Sequence, residues 1–203
     1  MTFTINDAGF QIEFSKLIRD AKNPRRLLMG AGRAVNNELR KHFLSKYRNE
    51  PNKLSNRRSK FWDQVARSVN KPQMEDSNTI SVTIGDPRFA QKLFGGKITA
   101  RAAKALTIPV EERAYDRTTH TFEQETGLKL FLLRTGKGAF QNAVLAVKDS
   151  NAKGFTVEYV LTKSVNQKAD TDALPPKSAL EAAILAAGQR SLDLQLAAIP
   201  PAS

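Results

Sequence analysis

From residue 24 onward the apolar positions fall at three- and four-residue spacing: Leu28, Ala31, Val35, Leu39, His42 and Phe43. At about 100° per residue these positions form one stripe, which predicts a helix over 24–46. Asn23 as cap and Pro24 at the first helical position set its start, because a proline there gives up only an N–H that has no partner within the helix. Arg26, Arg33 and Arg40 recur every seven residues, roughly 200° around the helix from Leu28, Val35 and His42. Arg19 extends this row backwards if the preceding segment, with Phe14, Leu17 and Ile18, continues the helix. One face packs and the other carries a line of arginines. A polar, basic stretch over 47–59, with Pro51, Asn52, Asn56, Arg57 and Arg58, reads as a loop. A shorter helix follows with Phe61, Trp62, Val65 and Val69 as its apolar side, and Lys71-Pro72 ends it.

The texture then changes. Residues 79–84 alternate and are rich in β-branched side chains, which predicts a strand that Gly85-Asp86-Pro87 stops. Phe94-Gly95-Gly96 reads as a flexible turn, and 104–110 as a strand ending in Ile108-Pro109-Val110. Residues 111–126 are polar and charged and read as a long loop, an arm that orders against a neighbouring subunit. Three more strand candidates, 128–133, 142–148 and 155–163, are separated by Gly136-Lys137-Gly138 and Asn151-Ala152-Lys153-Gly154, the pattern of an antiparallel meander. A polar linker over 166–172 and Pro175-Pro176 lead into a last helix, 178–196, with Leu180, Ile184, Leu185, Leu192 and Leu196. Ser178 and Glu181 have the spacing of a capping box. The expected fold is α+β: a long N-terminal helix and a C-terminal helix packed on a small, mostly antiparallel sheet, with an extended loop or arm. The chain reads as one domain over 1–203: an N-terminal segment 1–23, a helical part 24–70, a β-rich part 79–165 and a C-terminal helix and tail 177–203.

Composition adds charge to this picture. The chain of 203 residues carries a net charge of +12. Residues 1–70 hold 15 Lys and Arg against 6 Asp and Glu, so the basic character sits at the front. A basic surface favours polyanions or acidic protein faces and speeds association with them. The absence of cysteine excludes disulfides and thiolate metal sites. Residues 1–15 alternate polar and apolar without the apolar core of a signal peptide. No apolar run approaches the ~20 residues that span a bilayer. The expectation is a soluble protein, made and used in a cytoplasm, with no membrane partner.

The sequence offers little for catalysis. Nucleophilic chemistry needs an activated Ser or Cys beside a base, and His42 and His120 are the only histidines. His42 lies on the apolar stripe and reads as a packing or interface residue. His120 sits among threonines in a polar stretch, and neither has a partner at metal-ligand spacing. A phosphate loop needs Gly-Lys followed by Ser or Thr, but Gly96-Lys97 is followed by Ile98 and Gly136-Lys137 by Gly138. Glu111, Glu112, Asp116, Glu123 and Glu125 gather carboxylates in one stretch. They read either as a metal-dependent nuclease site or, on a mobile segment, as a solvated or intersubunit loop. The sequence therefore predicts no enzyme, cofactor or metal. The arginine row reads either as a solvated face or as a surface for an acidic neighbour or for DNA phosphates. It lacks the interleaved aromatics that stack single-stranded bases.

Four stretches taken in order resemble the virion-morphogenesis and tail-completion proteins of tailed bacteriophages, a family that overlaps with small neck proteins. They are the long helix leading to Leu39-Arg40-Lys41-His42-Phe43; Ser59-Lys60-Phe61-Trp62-Asp63-Gln64-Val65-Ala66; Phe89-Ala90-Gln91-Lys92-Leu93-Phe94-Gly95-Gly96-Lys97-Ile98, with its aromatic-Gly-Gly step, followed by Ala105-Leu106-Thr107-Ile108-Pro109-Val110; and Tyr159-Val160-Leu161-Thr162-Lys163-Ser164-Val165 before a proline-bearing linker and a final helix. The resemblance spans about residues 25–195 and contains no catalytic signature. It implies a structural subunit of the virion, made in the host bacterial cytoplasm and located at the head–tail junction. Such a subunit forms a homo-oligomeric ring between a head-side connector or adaptor and the tail tube or terminator, close to the genomic double-stranded DNA. A tail-terminator ring, or a basic DNA-binding accessory of phage assembly, is the alternative.

Overall fold

A computed structural model describes residues 24–50, 60–134, 143–148 and 154–197. The described chain runs α1 (Pro24–Asn49), α2 (Lys60–Arg67), β1 (Gln73–Met74), β2 (Ile80–Ser81), α3 (Pro87–Phe94), β3 (Gly96–Thr99), β4 (Leu106–Pro109), a 3-10 turn (Glu112–Ala114), α4 (Thr119–Thr126), β5 (Phe131–Arg134), β6 (Ala143–Lys148), β7 (Phe155–Thr162), β8 (Ser164–Gln167) and α5 (Lys177–Ala197). The class is α+β with a long helix toward each end of the chain, as expected. The described residues divide into two compact units, one made from 24–50, 60–94 and 169–197 and the other from those between 95 and 168.

In the first unit α1 packs on α5, α2 and the short β1–β2 ladder. Its core joins Leu39 and Phe43 of α1, Trp62, Val65 and Ala66 of α2, Phe89 of α3, and Leu180 of α5. Leu28, Ala31, Leu39 and Phe43 of the predicted stripe are buried, and the half-buried Val35 packs on the same core. Phe43 stacks on Trp62 at 6.0 Å between ring centroids and meets Phe89 edge-on at 5.3 Å. Burying each such side chain stabilises the unit by roughly 1.5–3 kcal/mol. The predicted strand over 79–84 forms two residues of ladder, Met74 against Ile80 and Gln73 against Ser81, and a bridge from Val69 to Ile84. Helix α3, which the residue pattern did not predict, starts at Pro87 because the Asp86 carbonyl and carboxylate accept the Phe89 and Arg88 backbone N–H groups at 3.1 and 2.9 Å. The capping box expected at Ser178 is not formed. The helix already begins at Lys177, and the Pro176 carbonyl accepts the Ala179 and Leu180 amides.

In the second unit β4, β7, β6 and β5 form an antiparallel sheet in that order, while β3 pairs with β8 in a separate two-stranded ladder. The β3–β8 ladder falls partly on residues read as turn and linker. The other major departure is the supposed arm over 111–126, which contains the 3-10 turn and α4. Thr118 caps α4 by accepting the Thr121 N–H at 3.1 Å, and Gly127 ends it at φ 70°, a left-handed conformation that favours glycine. Phe122 of α4 is buried against Tyr159 of β7, with their rings edge-on at 5.9 Å. A polar segment thus became a packed one because a single aromatic anchors it to the sheet.

That anchorage depends on an irregularity in β7. Leu145 pairs with Tyr159 and Ala146 with Val157, so Glu158 is the extra residue of a β-bulge. A bulge re-aims side chains that regular alternation would send to opposite faces. Glu158 and Tyr159 are both fully buried. Both also reach the 113–117 segment: Glu158 Oε1 accepts Arg113 Nε at 2.7 Å, and the Tyr159 hydroxyl donates toward the Ala114 and Arg117 carbonyls at 3.3 and 3.2 Å. Burial pushes the Tyr159 phenol up, the Glu158 charge adds to the rise, and Arg117 opposes it.

Candidate functional site

The heptad row of arginines is a surface of α1. Arg26, Arg33 and Arg40 are all exposed, as are Asn37, Lys41 and Arg48. Placed at about 100° per residue, these six and Leu44 fall within an arc of about 100° that contains no acidic side chain. The opposite side of the helix holds Leu28, Ala31, Gly32, Leu39 and Phe43, all buried. Apolar periodicity fixes which side of α1 faces the core, and by the same geometry turns the arginines outward. Arg19 lies outside the described residues.

Among the described residues, Arg33, Arg40 and Arg48 make no hydrogen bond or ion pair, while Lys41 lies 3.7 Å from Glu38 at the margin of the arc. Asn37, Arg40, Lys41, Leu44 and Arg48 line a shallow depression of about 360 Å³. The chemistry on offer is electrostatic: several permanent cations with free donors, spaced along a rigid rod.

The acidic residues of α1 and its neighbours are used elsewhere. Glu50 accepts the Trp62 indole N–H at 3.1 Å and the Lys46 ammonium at 2.7 Å. Lys46 and Lys92 sit over the Trp62 ring at 5.0 and 5.8 Å, and Asp170 pairs with Lys92 at 3.0 Å and Lys46 at 3.9 Å. Burial pushes the Asp170 carboxyl up, but the hydrogen bond and charge of Lys92, the charge of Lys46 and the Asp172 N–H outweigh it and hold it below its ordinary range. His42 also belongs to this side of the unit. It is half-buried, its Nε2 lies 3.0 Å from the Asp172 carbonyl, and it packs edge-on to Phe43. Its role is to hold α1 to the segment that leads into α5.

The family-like motif is carried by elements other than α1. Phe94 ends α3 and is 68% exposed, and Gly95 and Gly96 follow at φ 68° and 116°. Two successive positive φ values need glycine, and they turn the chain out of the helix directly into β3. This step is where the chain leaves the first unit and enters the second. Ile108 and Pro109 are half-buried on β4, opposite Val160 and Tyr159. A proline fits there because β4 is an edge strand. The motif is therefore two separate devices, a helix-to-strand turn and a sheet edge.

Two of the carboxylates of 111–126, Glu123 and Glu125, are engaged by neighbours of opposite charge. Glu125 pairs with Arg117 at 2.7 Å, and Glu123 accepts the Leu130 N–H at 2.8 Å and faces Lys129. The Leu130 N–H first, then the Lys129 charge and hydrogen bond and the charge of His120, hold Glu123 low against the opposing pull of burial. Among the described residues no group of three or more His, Cys, Asp or Glu side chains is placed to hold a metal. His120 is exposed on α4. Gly96-Lys97 lies in β3, and Gly136-Lys137-Gly138 lies outside the described residues.

Sequence reasoning missed the apolar side chains left outside: Phe94, Val110, Phe131, Leu132, Phe155 and Leu194 are each at least 36% exposed. Phe131 and Phe155 face each other edge-on at 6.4 Å. Their strands alternate as any strand does, so nothing in the sequence marks these positions as uncovered. No helix among the described residues is long and apolar enough to cross a membrane. Comparison with known protein families, with curated proteins and with solved structures finds no match to this chain.

Proposed function

We propose that the protein is a non-enzymatic, structural subunit of a tailed bacteriophage virion, a tail-completion or neck protein. In this reading copies of the chain form a ring that joins the head-side connector or adaptor to the tail tube or terminator. The observation that carries it is the pair of large apolar side chains left exposed together: Phe131 and Phe155 meet edge-on at 6.4 Å while 37% and 56% exposed. Exposed apolar side chains that lie together, unlike single ones, mark surfaces that meet other proteins. Phe94 at the aromatic-Gly-Gly step, one of the four ordered stretches that resemble the family, is also exposed. The open edge β5 carries Phe131 and Leu132, and the other edge, β4, ends in Pro109. A sheet with two dissimilar edges is suited to head-to-tail contact, which forms a ring where the rotation between copies closes.

The test is a phage in which this gene is interrupted. Electron micrographs of its lysates are expected to show filled heads and finished tails that remain unjoined. Purified protein added to the lysate restores joined, infectious particles. Intact virions without the protein would rule the reading out. Heads joined to tails of uncontrolled length would move the assignment to a tail-terminator ring.

A further inference from the structure

We propose that the cationic face of α1 binds the phosphate backbone of double-stranded DNA without reading its sequence. Four cations, Arg33, Arg40, Lys41 and Arg48, are exposed along one side of a single helix. At 1.5 Å per residue Arg33 and Arg48 stand about 22 Å apart, so the row runs along a length of duplex rather than around one group. A duplex carries one negative charge per about 1.7 Å of axis, and cations held in line neutralise several phosphates and release their counterions. Arg33, Arg40 and Arg48 have no internal partner among the described residues and lose no ion pair on binding, whereas Lys41 is shared with Glu38 at 3.7 Å. A surface that only needed solvation would gain stability from mixed Glu and Lys at four-residue spacing, and this arc contains no acid.

A protein partner is less well matched to the same face. Protein interfaces are centred on buried aromatic or aliphatic anchors, and the sole apolar side chain in the arc is Leu44, which packs against the core. Among the described residues the large exposed apolar side chains all lie outside α1: Phe94, Val110, Phe131, Leu132, Phe155 and Leu194. Single-stranded nucleic acid is also disfavoured. The aromatic residues of α1 are Phe43, which is buried, and Tyr47, which packs against the core, so no ring is offered for base stacking. The choice of duplex DNA over other polyanions rests on the reading of the protein as a head–tail joining subunit, past which the genome travels.

The experiment is fluorescence anisotropy of a labelled duplex of about 24 base pairs with the full chain, titrated with salt. Non-specific binding with a Kd on the order of 10⁻⁵ M is expected, equal for unrelated sequences. Three phosphate contacts give a logarithmic salt slope of about −2.7, a loss of roughly fortyfold between about 50 and 200 mM salt. The triple variant Arg33→Glu, Arg40→Glu, Arg48→Glu abolishes binding. The milder Arg40→Gln lowers the slope by about one and serves if the triple variant does not fold. The proposal is overturned if the wild-type chain does not bind, if the variants bind as the wild type does, or if polyglutamate of matched charge binds more tightly than the duplex, which would assign the face to an acidic protein. These outcomes leave the joining of heads to tails in the interrupted-gene lysate unaffected, so the two readings fail separately.

Discussion

Gly32 sits on the buried side of α1, where a Cβ would come within 2.6 Å of the Ile80 Cδ1 and 2.7 Å of the Pro72 Cβ. The Ile80 methyl can rotate aside, but the proline ring cannot. Gly32→Ala is therefore expected to destabilise the protein by about 1–3 kcal/mol through overpacking. This exceeds the gain of about 1 kcal/mol that alanine brings to a helix interior. Gly30, two residues earlier, has nothing within 4 Å of the same position. Gly30→Ala is the matched control and is expected to stabilise by up to about 1 kcal/mol. Denaturant unfolding of the two variants checks the pair, and equal midpoints would contradict the close approach of α1 to the β1–β2 ladder. The sequence revealed the large core residues here, because Leu28, Leu39 and Phe43 recur with the helix. It could not reveal Gly32, since a glycine looks the same whether it is needed for contact or merely tolerated.

At the scale of elements, Asp170 joins three pieces of the first unit. Its carboxylate pairs with Lys92 of α3 and Lys46 of α1, and its backbone N–H donates to the Lys92 carbonyl at 3.1 Å, just before the chain enters α5. A carboxyl held low in the folded chain stabilises it above the unfolded value of about 3.9, and that stability is lost as pH falls through the folded value. Asp170→Asn is expected to cost about 1–2 kcal/mol at neutral pH, as for hydrogen bonds to a charged group. The difference from wild type should close below about pH 4. Thermal melts of the two proteins from pH 7 to 3 measure this, and a difference that persists unchanged at pH 3 would show that the carboxylate charge is not what matters. The major helices were legible at this scale because their periods are long. Helix α4 was not, although Thr118 and Gly127 mark its ends. Its eight residues carry one fully buried apolar side chain, Phe122, too little for periodicity to detect. The bulge at Glu158 was invisible for a related reason, since it depends on how β7 is registered against β6.

For the whole molecule, the exposed cations of α1 and the large exposed apolar side chains among the described residues belong to different elements, the latter to α3, β5, β7 and α5 and to the residue just after β4. A subunit that meets protein with some elements and a polyanion with another has this division. The arginine row was legible in the sequence because it shares the helix period. Arg48 joins it only because α1 extends to Asn49, beyond the predicted end at 46. The exposed apolar surfaces were not legible, because exposure is a property of the folded chain and of its partners. The central claim is that this chain forms a ring at the head–tail junction. Electron cryomicroscopy of purified virions tests it most directly. The account predicts density for a ring of these chains between the connector and the tail, with neighbours meeting through Phe94 or the β5 edge and α1 turned toward the DNA. Virions whose junction contains no density for this chain would contradict it.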